Sequence, residues 1–117
     1  MSLETDLYAV LAAVCPRVFP DVAPAGTEEP YVTWQQIGGS AFAFTEGALP
    51  NKRNARVQVN VWAATRLECN NIAQQIEAAL AASPLFAATP ESALVAELDE
   101  FTDLRGAMQD FSIWADR

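Results

Sequence analysis

The chain contains no histidine, only one lysine and only two cysteines. Histidine is the commonest general base and the commonest metal ligand, so its absence removes the usual residue for proton transfer and for zinc binding. The two cysteines do not form a Cys-x-x-Cys pair. The longest apolar runs are short and broken, whereas a membrane-spanning helix needs about 20 apolar residues. We therefore expect no metal, no cofactor and no membrane partner.

Positive charge is also scarce, because 15 acidic residues outnumber 7 basic ones and give a net charge of -8. A protein that binds DNA tightly needs a basic patch that releases counterions from the phosphates. The nearest candidate is the group Lys52, Arg53 and Arg56, which we interpret as solvated charges at the start of a strand. The acidic excess therefore predicts that the chain does not bind nucleic acid tightly.

The length of 117 residues fits one domain, residues 1–117, and 51% hydrophobic residues are too many for a disordered chain. A chain of this size buries about two-thirds of its unfolded surface, so it needs no disulfide to fold. Cys15 and Cys69 fall on apparent helix faces, where we expect buried thiols, with a disulfide as the open alternative. Glu4 and Asp6 stand where an export signal would carry lysine or arginine, so we expect no such signal.

The clearest local pattern is a strand that leads directly into a helix. From Arg53 to Trp62 apolar and polar residues alternate, which is the period of a strand with one buried face. Thr65 and Glu68 then form the capping box of a helix start, and apolar residues follow at helical spacing up to Leu80. The residues predicted to face the core are Ala55, Val57, Val59 and Val61. The opposite, polar face carries Arg56, Gln58, Asn60 and Trp62.

A second amphipathic helix is predicted over Leu3–Cys15, with Ser2 as its N-cap. Further strands are predicted over 31–38, 93–101 and 107–115, and the acidic residues of 93–101 suit a strand at a sheet edge. The element order is α-β-β-α-β-β. We expect an α+β fold in which a four-stranded antiparallel sheet, in the order 1-2-4-3, carries both helices on one face.

The segment 39–52 is long for a connection between two neighbouring strands. Loops near this length in compact domains are usually functional or disordered. Phe42 and Phe44 within it leave three alternatives open. They prolong the two strands as a hairpin arm, form an apolar contact for another chain, or fold back on the core.

A search for catalytic groups finds only the carboxylates Glu97, Asp99 and Glu100, of which the first two share a strand face. Two carboxylates act as acid and base only in a pocket that separates their pKa values. On an edge strand they are most simply solvated. No serine or cysteine has a candidate base in a recognisable motif. We therefore assign no catalytic residue and predict that the chain is not an enzyme.

Three stretches together resemble the small tail-completion proteins of long-tailed phages and prophages. The first leads through prolines into a PYVTW strand, VAPAGTEEPYVTWQQIGG. The second is the strand and capped helix RVQVNVWAATRLECNNIAQQIEAAL, and the third is the closing strand QDFSIWAD. The resemblance extends from about Val22 to Trp114. Each stretch alone is a weak pattern, and the order and spacing of the three make the resemblance specific.

This resemblance implies a structural protein with no catalytic residue. Related tail terminator proteins form rings, typically hexameric, at the end of the tail tube, and the isolated subunit can be a monomer before it meets the tube. The expected partners are further copies of the chain, the tail tube and the head-connector proteins. The expected location is the bacterial cytoplasm during assembly and then the virion tail. The long loop varies in such families, so Phe42 and Phe44 match no defined contact.

The residue patterns agree with a docking protein. A polar sheet face that carries arginine and tryptophan has the residue types that dominate interface energies. We predict that the interface contains Arg56, Gln58, Asn60 and Trp62, together with Phe42 and Phe44. The alternative is a small bacterial adaptor outside any virion, which would bind one protein partner through the same face.

Overall fold

In the computed structural model, two helices cover one face of a mixed β-sheet. The structure describes residues 2–41 and 51–116. Neither described helix has the length and apolarity that a membrane-spanning segment needs. In chain order the elements are α1 Leu3–Val14, β1 Val18–Pro20, β2 Tyr31–Gln36, β3 Lys52–Ala63, α2 Arg66–Ala82, β4 Ala87–Pro90, β5 Val95–Asp99 and β6 Leu104–Asp116.

Both helices begin at the predicted capping residues. The Ser2 hydroxyl accepts a hydrogen bond from the backbone N–H of Thr5 at 3.1 Å, and the Thr65 hydroxyl accepts one from the N–H of Glu68 at 3.2 Å. Each bond satisfies a donor that has no partner within the first helical turn. These local signals therefore fix where α1 and α2 start, whatever the rest of the chain does.

The prediction of a four-stranded, purely antiparallel sheet is wrong in two respects. The described residues form six strands in the order β1-β2-β3-β6-β4, with β5 also paired to β6. In addition β1 runs parallel to β2. The predicted strands are neighbours as β2-β3, β3-β6 and β5-β6, all antiparallel. The difference lies in two short strands, β1 and β4, added at the two edges.

The physical reason for the difference is the length and composition of the added strands. β1 is Val18–Pro20 and β4 is Ala87–Pro90, so each is too short to show an alternating pattern and each ends in proline. Proline lacks the N–H that a sheet needs and is therefore confined to edges and strand ends. Both strands owe their conformation to the neighbouring strand and not to their own sequence.

The core lies between the helices and the inner face of β3 and β6. Val57, Val59 and Val61 are 1%, 3% and 1% exposed, which confirms the predicted inward direction of these valines. Phe111 and Ile113 of β6 are fully buried beside them. The helices contribute Leu7, Leu11, Ile76 and Leu80 to the same cluster.

Both cysteines are buried free thiols, as the helical pattern predicted, and the disulfide alternative is wrong. The Cys69 S–H donates to the backbone oxygen of Val61 at 3.3 Å. Burial raises the pKa of the Cys69 thiol above its ordinary value. Since the thiolate is the reactive form, Cys69 is a packing residue of the α2–β3 contact and not a nucleophile.

Candidate functional site: the outer face of the sheet

The outer face of the sheet is the side opposite the helices. The pairing of β3 with β6 places Gln58 opposite Asp110, Asn60 opposite Met108 and Trp62 opposite Gly106. Because directly opposed residues share a sheet face, these side chains all lie on the outer side. The structure thus brings the predicted residues Arg56, Gln58, Asn60 and Trp62 together along one strand face. Arg56 is exposed and the other three are half-buried.

A chain of polar contacts runs along this face. The Asn60 side-chain N–H donates to Gln58 Oε1 at 3.2 Å, and the Gln58 amide donates to Asp110 Oδ1 at 3.4 Å. Arg56 lies 3.4 Å from the other oxygen of Asp110 and 3.1 Å from Glu91. These contacts hold the polar side chains in fixed positions. A partner that binds here therefore has less side-chain motion to remove, and the entropic cost of binding is smaller.

Trp62 packs flat on the backbone of Gly106. A methyl group built on Gly106 would lie 2.6 Å from Trp62 Cζ3 and 2.9 Å from each of its two ring neighbours. An approach at the ring edge would leave those neighbours much farther away, so Gly106 lies under the face of the indole. A side chain at position 106 would occupy the space of the ring, and the absence of one explains how Trp62 lies so close to the sheet.

A cleft of about 390 Å³ opens on the outer face at the Trp62 end of β3. One wall is the segment 21–23, which follows β1, and the other wall is Glu97 and Asp99 of β5. Arg66 of α2 fixes β5 from the helix side, since it donates to the backbone oxygen of Glu97 at 2.7 Å. The floor consists of Tyr31, Thr33, Gln58, Asn60, Trp62 and Met108.

The walls of the cleft are acidic. Burial raises the pKa of Tyr31 above its ordinary value of 10.0, and the negative charges of Asp99 and Glu29 raise it further. The phenol therefore stays neutral at pH values at which a free tyrosine already ionises. Any group that enters the cleft meets a neutral hydroxyl together with the carboxylates of Asp21, Glu97 and Asp99.

We expect the phenolate of Tyr31 to form only above pH 10.0, its ordinary pKa. Because the fold favours the neutral phenol, the stability that Tyr31 contributes is present below that pH and is lost as the pH rises through the folded-state pKa. An absorbance titration measures the step, and Tyr31→Phe identifies it by removing it. Asp99→Asn should lower the pKa towards 10.0. A Tyr31 pKa that is unchanged in Asp99→Asn would contradict this account.

The structure places the remaining predicted residues differently. Phe42 and Phe44 lie outside the described residues. Glu97 and Asp99 share one face of an edge strand, as expected, but they line a cleft and are not simply solvated. Their neighbours on the floor are two amides, two hydroxyls and the side chains of Trp62 and Met108. In the described ranges 2–41 and 51–116 no cluster of three acidic or thiol side chains is placed to hold a metal ion.

Several residues of the cleft were not assigned to a site from the sequence, among them Asp21, Tyr31 and Thr33. Asp21 reaches the cleft because β1 pairs with β2, and Thr33 faces outward from a strand whose pattern is dominated by apolar and aromatic residues. Asp21 has a backbone φ of 64°, a conformation that aspartate adopts more readily than most residues. An aspartate directly after a proline was a local sign of a turn, although not of a binding site.

The amino-acid sequence of the chain matches a known protein family. The chain matches the family described as Tail completion protein gp17 over residues 4–116. The chain belongs to this family. The matched residues include all of α2, all of α1 except its first residue, and every described strand. The predicted resemblance to tail-completion proteins is therefore confirmed.

A solved structure has the same fold. A chain from a structure described as "Virion of native gene transfer agent (GTA) particle" superposes with a TM-score of 0.71. The identity is 18%, and the alignment covers 99% of this chain and 96% of that chain. At this identity the likeness concerns the fold. No curated protein matches the sequence.

Proposed function

We propose that this chain is a structural protein at the end of a phage-like tail, where several copies form a ring and bind other tail proteins without catalysis. The observation that carries the proposal is the family match over residues 4–116. The fold shared with a chain of a gene transfer agent virion supports it. Ring assembly and the hexameric number come from the resemblance to tail terminator proteins and are part of the proposal.

We infer that the docking contacts lie on the outer face of the sheet, at Arg56, Gln58, Asn60 and Trp62. The inner face is occupied by both helices, whereas no described helix covers the outer face, and its polar side chains are already ordered. A contact between two different surfaces of identical subunits closes into a ring when the rotation between them closes. The net charge of -8 would let DNA pass such a ring without binding to it.

The proposal is tested by mixing the purified chain with tail tubes of the particle that encodes it. Electron microscopy should show a ring of added density at one end of each tube. Mass measurement should show either a larger species that forms only when tubes are present, or a ring of defined size that the purified chain forms without tubes. Tubes whose ends stay bare would contradict a role at the tail end, and capture by one unrelated cytoplasmic protein would favour the adaptor alternative.

A matched pair of variants tests the docking face. Arg56→Glu places a third carboxylate beside Glu91 and Asp110, and Arg53→Glu makes the same change in the same strand on the helix side, where Arg53 pairs with Glu4 at 2.8 Å. Each change removes exposed ion pairs and should cost only about 1–2 kcal/mol of folding stability. We expect Arg56→Glu to lose tube binding and Arg53→Glu to keep it. Equal binding by both variants would place the contact elsewhere.

A further inference from the structure

We propose that the cleft on the outer face binds an arginine side chain carried by a different protein of the tail. The proposal deepens the function above and rests on it only for the source of the partner. The observations that carry it are an acidic wall without ion pairs, a threonine on the cleft floor whose hydroxyl has no partner among the described residues, and two aromatic side chains in one cleft.

The first observation is the charge of the cleft. Asp21, Glu97 and Asp99 line it, and no lysine or arginine does so among the described residues. None of these three carboxylates forms an ion pair within the described part of the chain, although other acidic residues such as Glu4 and Asp116 do. Asp99 accepts only the backbone N–H of Phe101, at 3.0 Å. A cationic group that enters the cleft would therefore meet carboxylates that have no ion-pair partner among the described residues.

The second observation is Thr33 on the floor of the cleft. Thr33 is 8% exposed, and no hydrogen bond joins its hydroxyl to another side chain or backbone group of the described residues. Among the described residues the buried side-chain atoms without a partner are Asp6 Oδ1 and Trp34 Nε1, so the Thr33 hydroxyl stays open to the cleft. It is therefore available to accept a hydrogen bond from a group that enters the cleft. Asn60, directly opposite Thr33 on β3, offers a further polar group on the floor.

The third observation is the aromatic part of the floor. Tyr31 and Trp62 are directly opposed on β2 and β3, and one face of the indole lies on Gly106. The Trp62 side chain also lines the cleft, so it presents aromatic surface to whatever enters. A guanidinium group is planar, stacks on aromatic rings and donates several hydrogen bonds at once, whereas an ammonium group acts as a single charge. The combination of rings and dispersed carboxylates favours arginine.

A metal ion does not fit the same arrangement. Within residues 2–41 and 51–116 no three acidic side chains come close enough together to share an ion. Glu97 and Asp99 are two residues apart on one strand and therefore about 7 Å apart along it. Carboxylates that far apart cannot share one small ion, but they can each accept a hydrogen bond from a different N–H group of one guanidinium, which has five donors.

We assign the arginine to another protein because the described part of this chain has none to spare. Each cationic side chain within residues 2–41 and 51–116 already has a partner, so a second copy that supplied one of them would have to break one of its own contacts. Lys52 pairs with Asp116, Arg53 with Glu4, Arg56 with Glu91 and Asp110, and Arg105 with Asp103. Arg17 donates to the backbone oxygen of Pro30, and Arg66 to those of Glu97 and Gly106.

The test uses the isolated full chain, labelled with ¹⁵N, and the peptide acetyl-Gly-Arg-Gly-amide. Amide resonances of Thr33 and Asn60 and the indole resonance of Trp62 should shift and saturate with a Kd of about 1 mM, as befits one side chain. The same peptide with citrulline in place of arginine keeps the shape and removes the charge. It should cause no saturable shift.

Two variants complete the test. Glu97→Gln removes one carboxylate from the cleft and should weaken peptide binding about fivefold, while Glu68→Gln removes an exposed carboxylate from α2 and should leave it unchanged. Equal binding of the citrulline peptide, shifts confined to other surfaces, or an unaltered Kd in Glu97→Gln would overturn the proposal.

The titration needs no ring, so a negative result leaves the tail-end proposal standing. Conversely, if the tube ends stay bare in the tube-binding experiment, the proposed source of the arginine is contradicted, but the arginine site itself is not.

Discussion

Val61→Asp is expected to leave the chain largely unfolded at room temperature. Val61 is 1% exposed, and its cross-strand neighbours on the inner face are Val32 and Ala107, which are 0% and 2% exposed. Neither cross-strand neighbour could donate a hydrogen bond or a positive charge to a carboxylate at this position. Burial of an unpaired charge costs about 5 kcal/mol or more, which is comparable with the whole stability of about 5–15 kcal/mol for such a domain.

Val61 is the sharper choice among the inward valines because both of its cross-strand neighbours are apolar. Val59 is equally buried, but it lies opposite Trp34 and Gln109, and the Trp34 indole N–H is buried without a partner among the described residues. A carboxylate at position 59 could accept that N–H and recover part of its cost. The same change at position 61 therefore has the larger expected effect.

The matched control is Asn60→Asp, which adds the same charge one residue away on the outer face. Asn60 is half-buried and open to the cleft, so its carboxylate stays solvated. The change loses the bond to Gln58 Oε1 and adds charge to an acidic cleft, and should cost about 1–2 kcal/mol, well below the cost of Val61→Asp. Near-ultraviolet circular dichroism and urea denaturation compare the two variants. A Val61→Asp variant that unfolds cooperatively at the urea midpoint of Asn60→Asp would mean that the faces of β3 are assigned the wrong way round.

The parts of the fold that the sequence predicts are those whose signals are local. The alternation from Arg53 to Trp62 gives the strand and its buried face, and the Thr65 cap gives the start of α2. Both signals need fewer than a dozen residues and do not depend on distant contacts. The pairing of β6 with β3 and with β5 was also predictable. The helix α2 connects β3 to β5 and so leaves few possible arrangements of these strands.

The parts that the sequence does not predict depend on distant contacts. β1 and β4 pair with β2 and β6 although neither has a pattern of its own. The cleft exists because the β1–β2 pairing carries Asp21 across to the outer face, opposite Glu97. The outward direction of Gln58 and Asn60 was predictable from period two, whereas the acidic walls around them follow from tertiary placement. The interface role of Phe42 and Phe44 stays a prediction, since the described residues do not include them.

Gly39 is the second position where one substitution should have a large effect. The chain after β2 still runs beside β3, since Ile37 N–H donates to the Arg56 oxygen and Arg56 N–H to the Gly38 oxygen, each at 2.8 Å. Gly39 has a φ of +140°, and a methyl group built there would lie 2.5 Å from the backbone oxygen of Asn54. That oxygen belongs to a paired strand and cannot move aside without breaking the sheet contacts of β3.

Gly39→Ala should therefore lower the free energy of unfolding by about 3 kcal/mol or more, because it adds a backbone clash to the strain of a positive φ. Gly38→Ala separates the two causes, since Gly38 also has a positive φ, +121°, but nothing lies within 4 Å of its added methyl group. We expect Gly38→Ala to cost only the strain, about 1–2 kcal/mol. Urea midpoints at an unchanged m-value measure both changes. Equal costs in the two variants would show that Gly39 is not pressed against Asn54, and that the chain leaves β3 before the long loop begins.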